Sequence, residues 1–209
     1  MQLYGKRLFK LHCLCALVLL GSCGSPGPGS QPVSAPGSAC DATAHKSLNI
    51  PPRRQIGTNW CWAAAGEMVM NYFNINVTQC LQANRRFNRN DCCPFSARCN
   101  LTGWPQFEVY GLNYSRTSYE ALSWDQIKKE IACNDSPVAF TWRYIGEFKE
   151  ERGHMMVAVG YEVKPDGQRI VYANDPWRES ESPIPVDYDY YVSSSTHEHW
   201  DDFYNIRKN

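Results

Sequence analysis

The sequence has no excess of charge of either sign. Its 209 residues carry 21 Lys and Arg against 21 Asp and Glu. Loss of Lys6, Arg7 and Lys10 with a cleaved leader leaves 18 basic against 21 acidic side chains. That balance excludes the electrostatic footprint of a nucleic-acid binder. A membrane-spanning run is also lacking: the apolar stretch Leu11 to Leu20 is about half the roughly 20 residues a spanning helix needs. Tryptophan is absent before residue 60, with all seven lying after residue 59, so the core belongs to the later part of the chain. The crowded cysteines Cys80, Cys92, Cys93 and Cys99 lack a paired Cys-x-x-Cys spacing, which argues against zinc. No metal site is expected.

What precedes the core reads as export machinery. Residues 1–22 combine three basic side chains, the apolar run and Gly21-Ser22, the pattern of a secretory signal. Leu20-Gly21-Ser22-Cys23 also resembles a bacterial lipobox, which implies lipidation of Cys23 and a membrane anchor. Gly24 after it implies, by resemblance to known lipoproteins, the outer membrane as destination. The expected location is the cell envelope, or the medium if the domain is released. Ser25 to Ser38 is rich in Ser, Pro, Gly and Ala, so residues 23–47 are expected to form a flexible tether and 48–209 the folded domain. An exported chain lives where disulfides persist. With Cys61 reserved, Cys40, Cys80, Cys92, Cys93, Cys99 and Cys133 allow three bridges in fifteen pairings, none selected by the sequence.

The domain is organised around Gln55–Ala65. A polar turn (Gly57, Thr58, Asn59) gives way to helix formers Ala63 to Ala65, then Met68 and Met70. Thr58 or Asn59 is the expected N-cap, with the helix starting near Trp60 and Cys61 in its first turn. Unpaired N–H groups and the helix dipole stabilise a thiolate there. Gln55, six positions earlier, is placed to donate its amide to an oxyanion beside the sulfur. This arrangement resembles the active-site helix of papain-like cysteine proteases, in which a Gln precedes the nucleophile by the same spacing and a Trp, here Trp62, follows it. Many such enzymes carry a folded inhibitory propeptide. Gly24 to Pro52 is too short for one, so an active product is expected.

Further along, His45 to Arg54 is an extended lead-in, a short helix follows Thr78, and Asn90 to Leu112 is an irregular, bridge-held region. Ser123-Trp124-Asp125-Gln126 is a capping box for a helix ending by Asn134. Val138, Phe140, Trp142 and Tyr144 alternate along a strand, and the charged stretch Glu147 to Arg152 reads as a solvated loop. Gly153 to Tyr161 and Arg169 to Asn174 form a hairpin around Pro165-Asp166-Gly167. A four-residue loop pairing Val163 with Gln168 sets His154 and Asp175 as diagonal neighbours on one face, within side-chain reach. A carboxylate accepting the imidazole N–H fixes its tautomer and steadies the imidazolium. His197, His199, Asp201 and Asp202 read as an exposed polar patch.

Gly153-His154 and Asp175-Pro176-Trp177 complete the resemblance, which covers about residues 48–205. A small residue before the His, an orienter on the next strand and a Trp two positions later are similar to papain-like enzymes. Asp replaces their Asn, as in peptidase domains of bacteriocin-exporting transporters and effector proteases of plant-pathogenic bacteria. Asn174 is the runner-up orienter, and Trp177 is expected to shield the His–Asp contact. Only 93 positions separate Cys61 from His154, against roughly 130–150 in papain and the cathepsins.

The resemblance implies an α+β papain-like fold: a helical half led by the Cys61 helix, packed on an antiparallel sheet. It implies a monomeric cysteine protease that binds an extended peptide and uses Cys61, His154 and Asp175 without a cofactor. Gln55 would serve the oxyanion. Two alternatives share these residues: a transglutaminase-like acyltransferase with an amine as acceptor, and a lipid-tethered binding module in which Cys61 is bridged.

Overall fold

A computed structural model describes residues 42–146, 153–178 and 182–209. The expected signal segment, Cys23, Cys40 and the charged stretch Glu147 to Arg152 fall outside these residues. In chain order the elements are β1 (His45–Ser47), α1 (Cys61–Tyr72), α2 (Gln79–Phe87), β2 (Leu112–Arg116), α3 (Trp124–Lys128), β3 (Val138–Tyr144), β4 (Gly153–Val163), β5 (Arg169–Asn174), β6 (Ile184–Asp187), α4 (Tyr188–Val192) and β7 (His197–Lys208). Seven strands make one sheet in the order β2-β7-β3-β4-β5-β6, with β1 added against β4. Every pairing is antiparallel. β1 lies within the stretch assigned to the tether, so the sheet begins three residues before the expected boundary at 48.

α1 is the buried central helix. Trp62 to Gly66 and Met68 to Met70 are all buried, as befits a helix apolar on most of its faces. Gly66 lets α2 approach: a Cβ there would sit 2.2 Å from Gln82 Oε1, where Gln82 donates to the Ala63 carbonyl at 2.8 Å. α2 starts as expected, with Thr78 Oγ1 accepting from Leu81 N, and ends on Asn88 in the left-handed region at φ 51°. Two disulfides, Cys80–Cys93 and Cys92–Cys99, hold the irregular stretch beyond it. Cys133 is also disulfide-bonded. The Ser123 capping box is complete, and α3 continues into a π-helical turn, Lys129–Cys133.

Two further expectations about the fold need correction. The first concerns His197, His199, Asp201 and Asp202, which are buried rather than an exposed patch. β7 runs between β2 and β3, inside the sheet, and these side chains bond internally, although His199 Nε2 and Asp201 Oδ2 have no hydrogen-bond partner among the described residues. Asp202 accepts from Tyr191 Oη at 2.5 Å and Leu122 N at 2.7 Å. Asp201 accepts from Arg116 Nε at 2.9 Å and Ser118 Oγ at 2.7 Å. His197 reaches the Tyr190 carbonyl and Ser194 Oγ.

The second concerns the hairpin. Val163 pairs with Arg169, not Gln168, so the loop is one residue longer than expected. A bulge between Ala158 and Gly160 then shifts the register back, and Ala158 pairs with Ala173 and Val157 with Asn174. At its far end the hairpin therefore has the register inferred from the sequence, reached by two compensating offsets.

Candidate active site

α1 supplies the sulfur. Cys61 is its first residue, half-buried and the one free cysteine among the described residues. The N-cap is Trp60, one position later than expected, and it makes no side-chain cap. Thr58 and Asn59 do not cap because their side chains are engaged elsewhere: Asn59 Nδ2 donates to the Asn100 carbonyl and Thr58 Oγ1 accepts from Asn100 Nδ2. Trp60 and Trp62 are both buried, and each donates its indole N–H to a loop carbonyl. Trp60 bonds Cys99 at 2.6 Å and Trp62 bonds Leu101 at 3.1 Å.

The hairpin supplies the imidazole and the carboxylate. His154 is the second residue of β4 and Asp175 follows the last residue of β5. His154 Nε2 lies 2.6 Å from Asp175 Oδ1, with both side chains largely buried. The ring's other side hydrogen-bonds Cys61, which leaves Nδ1 as the nitrogen facing the sulfur. Gly153 is required by packing: a Cβ would sit 2.8 Å from the Trp142 carbonyl and 3.0 Å from the Trp200 ring.

Electrostatics bind the three groups into one unit. Burial works against a thiolate at Cys61, yet the hydrogen bond and charge of His154, with backbone hydrogen bonds from Met155 and Trp62, outweigh it and lower the thiol pKa. Burial likewise opposes an imidazolium at His154. Hydrogen bonds to Asp175 and Cys61 and their negative charges push its pKa up to about 9. Asp175 is held below the usual carboxylate range despite burial, by His154 first, then by the Trp177 N–H and Arg178. These shifts favour an imidazolium beside a thiolate and a carboxylate, an arrangement suited to nucleophilic attack by sulfur.

The remaining expected residues sit as follows. Asn174 is fully buried and donates Nδ2 to the Ile50 carbonyl at 2.8 Å, while its Oδ1 has no hydrogen-bond partner among the described residues, so it makes no bond to the imidazole. Trp177 contributes through its backbone, donating to Asp175 Oδ1 at 2.9 Å. Its indole is 60% exposed and does not form the expected shield. Gln55 is buried beside the turn that precedes Cys61, with Nε2 donating to the carbonyls of Gly57 at 2.9 Å and Thr58 at 2.8 Å. Asp91, Cys92 and Cys99 cluster closely enough for a metal, but the two sulfurs are joined to each other and offer no thiolate.

Sequence reasoning missed Gln79 and Asn100. Gln79, buried in the first turn of α2, accepts from Ile56 N and donates to the Arg54 carbonyl and to Glu67 on α1. It thus brackets Gln55 on both sides. These contacts span 12 to 25 positions and have no local signature.

Comparison with known proteins adds the family. No curated protein matches the chain. Similar solved structures include a double glycine motif protease from an AMS/PCAT transporter, in complex with the leader peptide. It is 18% identical over 78% of this chain and 95% of that one, with a TM-score of 0.44. The peptidase domain of Streptococcus ComA, a bi-functional ABC transporter involved in a quorum-sensing pathway, is 14% identical over 77% and 100%, with a TM-score of 0.45. The proform of the Amb a 11 cysteine protease, a ragweed pollen allergen, is 13% identical over 80% and 66%, with a TM-score of 0.48. Membership rests on sequence instead: the model of the Peptidase_C39 like family matches residues 47–207, more than three quarters of the chain. The chain belongs to the Peptidase_C39 like family and is a cysteine-type peptidase.

Proposed function

We propose that this peptidase hydrolyses peptide bonds through a Cys61–His154–Asp175 triad. The observation that carries the reading is the position of His154, bonded on one side to Asp175 at 2.6 Å and on the other to the one free cysteine among the described residues.

The Cys61 thiolate attacks the scissile carbonyl carbon, and the carbonyl π electrons move to oxygen. The Cys61 backbone N–H and the Gln55 amide stabilise that oxyanion. Gln55 does so by exchanging one of its two bonds to the 57–58 carbonyls, which makes the turn part of the oxyanion site. Collapse breaks the C–N bond, and imidazolium Nδ1–H protonates the leaving amine. Neutral His154 then takes a proton from water as it attacks the thioester, releasing the acid and regenerating the thiolate. Asp175 accepts the Nε2–H throughout and keeps the ring in one orientation.

We further propose that the domain acts outside the cytoplasm, exported by residues 1–22 and anchored through a lipidated Cys23. The cysteine chemistry supports this: described cysteines other than the nucleophile are in disulfides, which persist in oxidising compartments.

The test is a mixture of unstructured peptides analysed by mass spectrometry. Wild-type protein yields fragment pairs whose masses sum to the parent plus one water, and Cys61→Ser yields none. Fragments that instead carry an added amine would turn the reading to acyl transfer, and an intact mixture would contradict it.

A further inference from the structure

One short stretch, Cys99–Leu101, grips the turn before Cys61 and the start of its helix from outside. Five hydrogen bonds join it to residues 58–62, on both sides of Cys61. Asn100 Oδ1 accepts from Asn59 N at 2.9 Å, Asn100 Nδ2 donates to Thr58 Oγ1 at 2.7 Å, and the Asn100 carbonyl accepts from Asn59 Nδ2 at 2.9 Å. The carbonyls of Cys99 and Leu101 take the two indole N–H groups of Trp60 and Trp62. Gly57 completes the fit, because a Cβ there would come within 2.8 Å of Asn100 Oδ1. The Cys92–Cys99 disulfide, with both cysteines fully buried, ties this stretch down beside the turn.

We infer that Asn100 is a positioning residue for the reaction, fixing the 57–59 turn on which the Gln55 amide rests and from which the Cys61 helix starts. This inference rests on the triad and oxyanion roles proposed above. The chain of contacts is short. Asn100 holds Thr58 and Asn59, the Thr58 and Gly57 carbonyls hold Gln55 Nε2, and Gln55 serves the oxyanion. Asn100 touches neither His154 nor Asp175 in this network, so its loss acts on the oxyanion side and spares the ion pair.

Two reactions of the same sulfur separate these effects. Alkylation by iodoacetamide displaces iodide, forms no oxyanion and reads only the thiolate–imidazolium pair. Acylation by p-nitrophenyl N-benzyloxycarbonylglycinate passes through an oxyanion and reads the complete site. In the full-length chain, Asn100→Ala is expected to slow acylation by on the order of 10- to 100-fold, with the rate and pH midpoint of Cys61 alkylation nearly unmoved. Asn100→Asp keeps the acceptor for Asn59 N–H and accepts the Thr58 hydroxyl, so it restores most of the acylation rate. A merely structural asparagine would give a different pattern: acylation, alkylation and melting temperature falling together, with no rescue by aspartate. That pattern, or unchanged acylation in Asn100→Ala, overturns the positioning role. A wild-type protein with an ordinary thiol profile and no acylation overturns the triad reading, and the positioning role with it.

Discussion

The two halves of the site are held in place by different means. His154 lies in β4 and Asp175 directly follows β5 of the same hairpin, and each of those strands is also paired on its outer side, β4 to β3 and β5 to β6. Backbone ladder bonds therefore fix His154 and the strand that ends just before Asp175, and few side chains are needed. Gln55 and Cys61 come from a turn with no ladder. That turn is fixed by side chains reaching in from elsewhere: Gln79 brackets Gln55, Asn100 holds Thr58 and Asn59, and the Cys99 and Leu101 carbonyls hold the indoles of Trp60 and Trp62. One backbone bond, Gln55 N to the Pro176 carbonyl at 2.9 Å, joins the two halves directly. A ladder is robust to single substitutions, whereas a turn held by individual amides is sensitive to each of them. The proton-handling half is thus expected to fail only when its reacting groups are changed. The half proposed to serve the oxyanion is expected to respond to residues that never meet substrate.

Substitutions can break that contrast, and the largest effect belongs to the hairpin's own carboxylate. Asp175→Ala removes the acceptor of His154 Nε2, and acylation is expected to fall by roughly 10²- to 10⁴-fold. A loss below tenfold would show that the strands alone orient the ring. On the turn side, Gln79→Leu leaves the Ile56 N–H and the Arg54 carbonyl without their partner. It is expected to lower acylation by about tenfold through misplacement of Gln55, and to cost about 1–3 kcal/mol in urea unfolding if those groups stay dry. Equal losses of acylation and alkylation in this variant would erase the distinction between the halves. The smallest effect is expected from Asp175→Asn, which keeps an acceptor on Nε2 but removes its charge. Because the Asp175 charge helps hold the His154 pKa up, the alkaline limit of activity should move to lower pH. The rate near neutrality should change only a few-fold. An unmoved limit would remove Asp175 from the electrostatics of the pair.

The same contrast explains what the sequence made legible. The hairpin was readable because period-two alternation and a Pro-Asp-Gly turn are local signals. Even there the loop length was wrong by one, and the bulge between Ala158 and Gly160 cancelled the error. Gly160 in a strand pattern was the available sign of that bulge. Its cause is distant, since a Cβ on Gly160 would press within 3.0 Å of the Lys46 carbonyl in β1. Gln55 and Cys61 were legible as a spacing, but the Thr58 and Asn59 side chains are drawn to Asn100, 42 and 41 positions away, and so leave the helix uncapped. Trp177 was readable as a neighbour of Asp175, though its role falls to its backbone N–H. The buried histidines and aspartates of β7 were misread because polarity signals exposure until their partners on α4, β2 and the chain beyond them are known.

The central claim is a thiolate–imidazolium pair between Cys61 and His154, and the pH dependence of Cys61 alkylation by iodoacetamide tests it most directly. The thiol pKa is lowered and the imidazole pKa is raised to about 9. The sign follows: the pair forms as pH rises through the lowered thiol pKa, and loses its imidazolium proton as pH rises through about 9. Alkylation mapped to Cys61 is therefore expected to remain fast well below the ordinary thiol range of roughly 8.5. In His154→Ala that low-pH reactivity should disappear. Slow alkylation that tracks an ordinary thiol in the wild-type protein, or a profile indifferent to His154→Ala, would contradict the account.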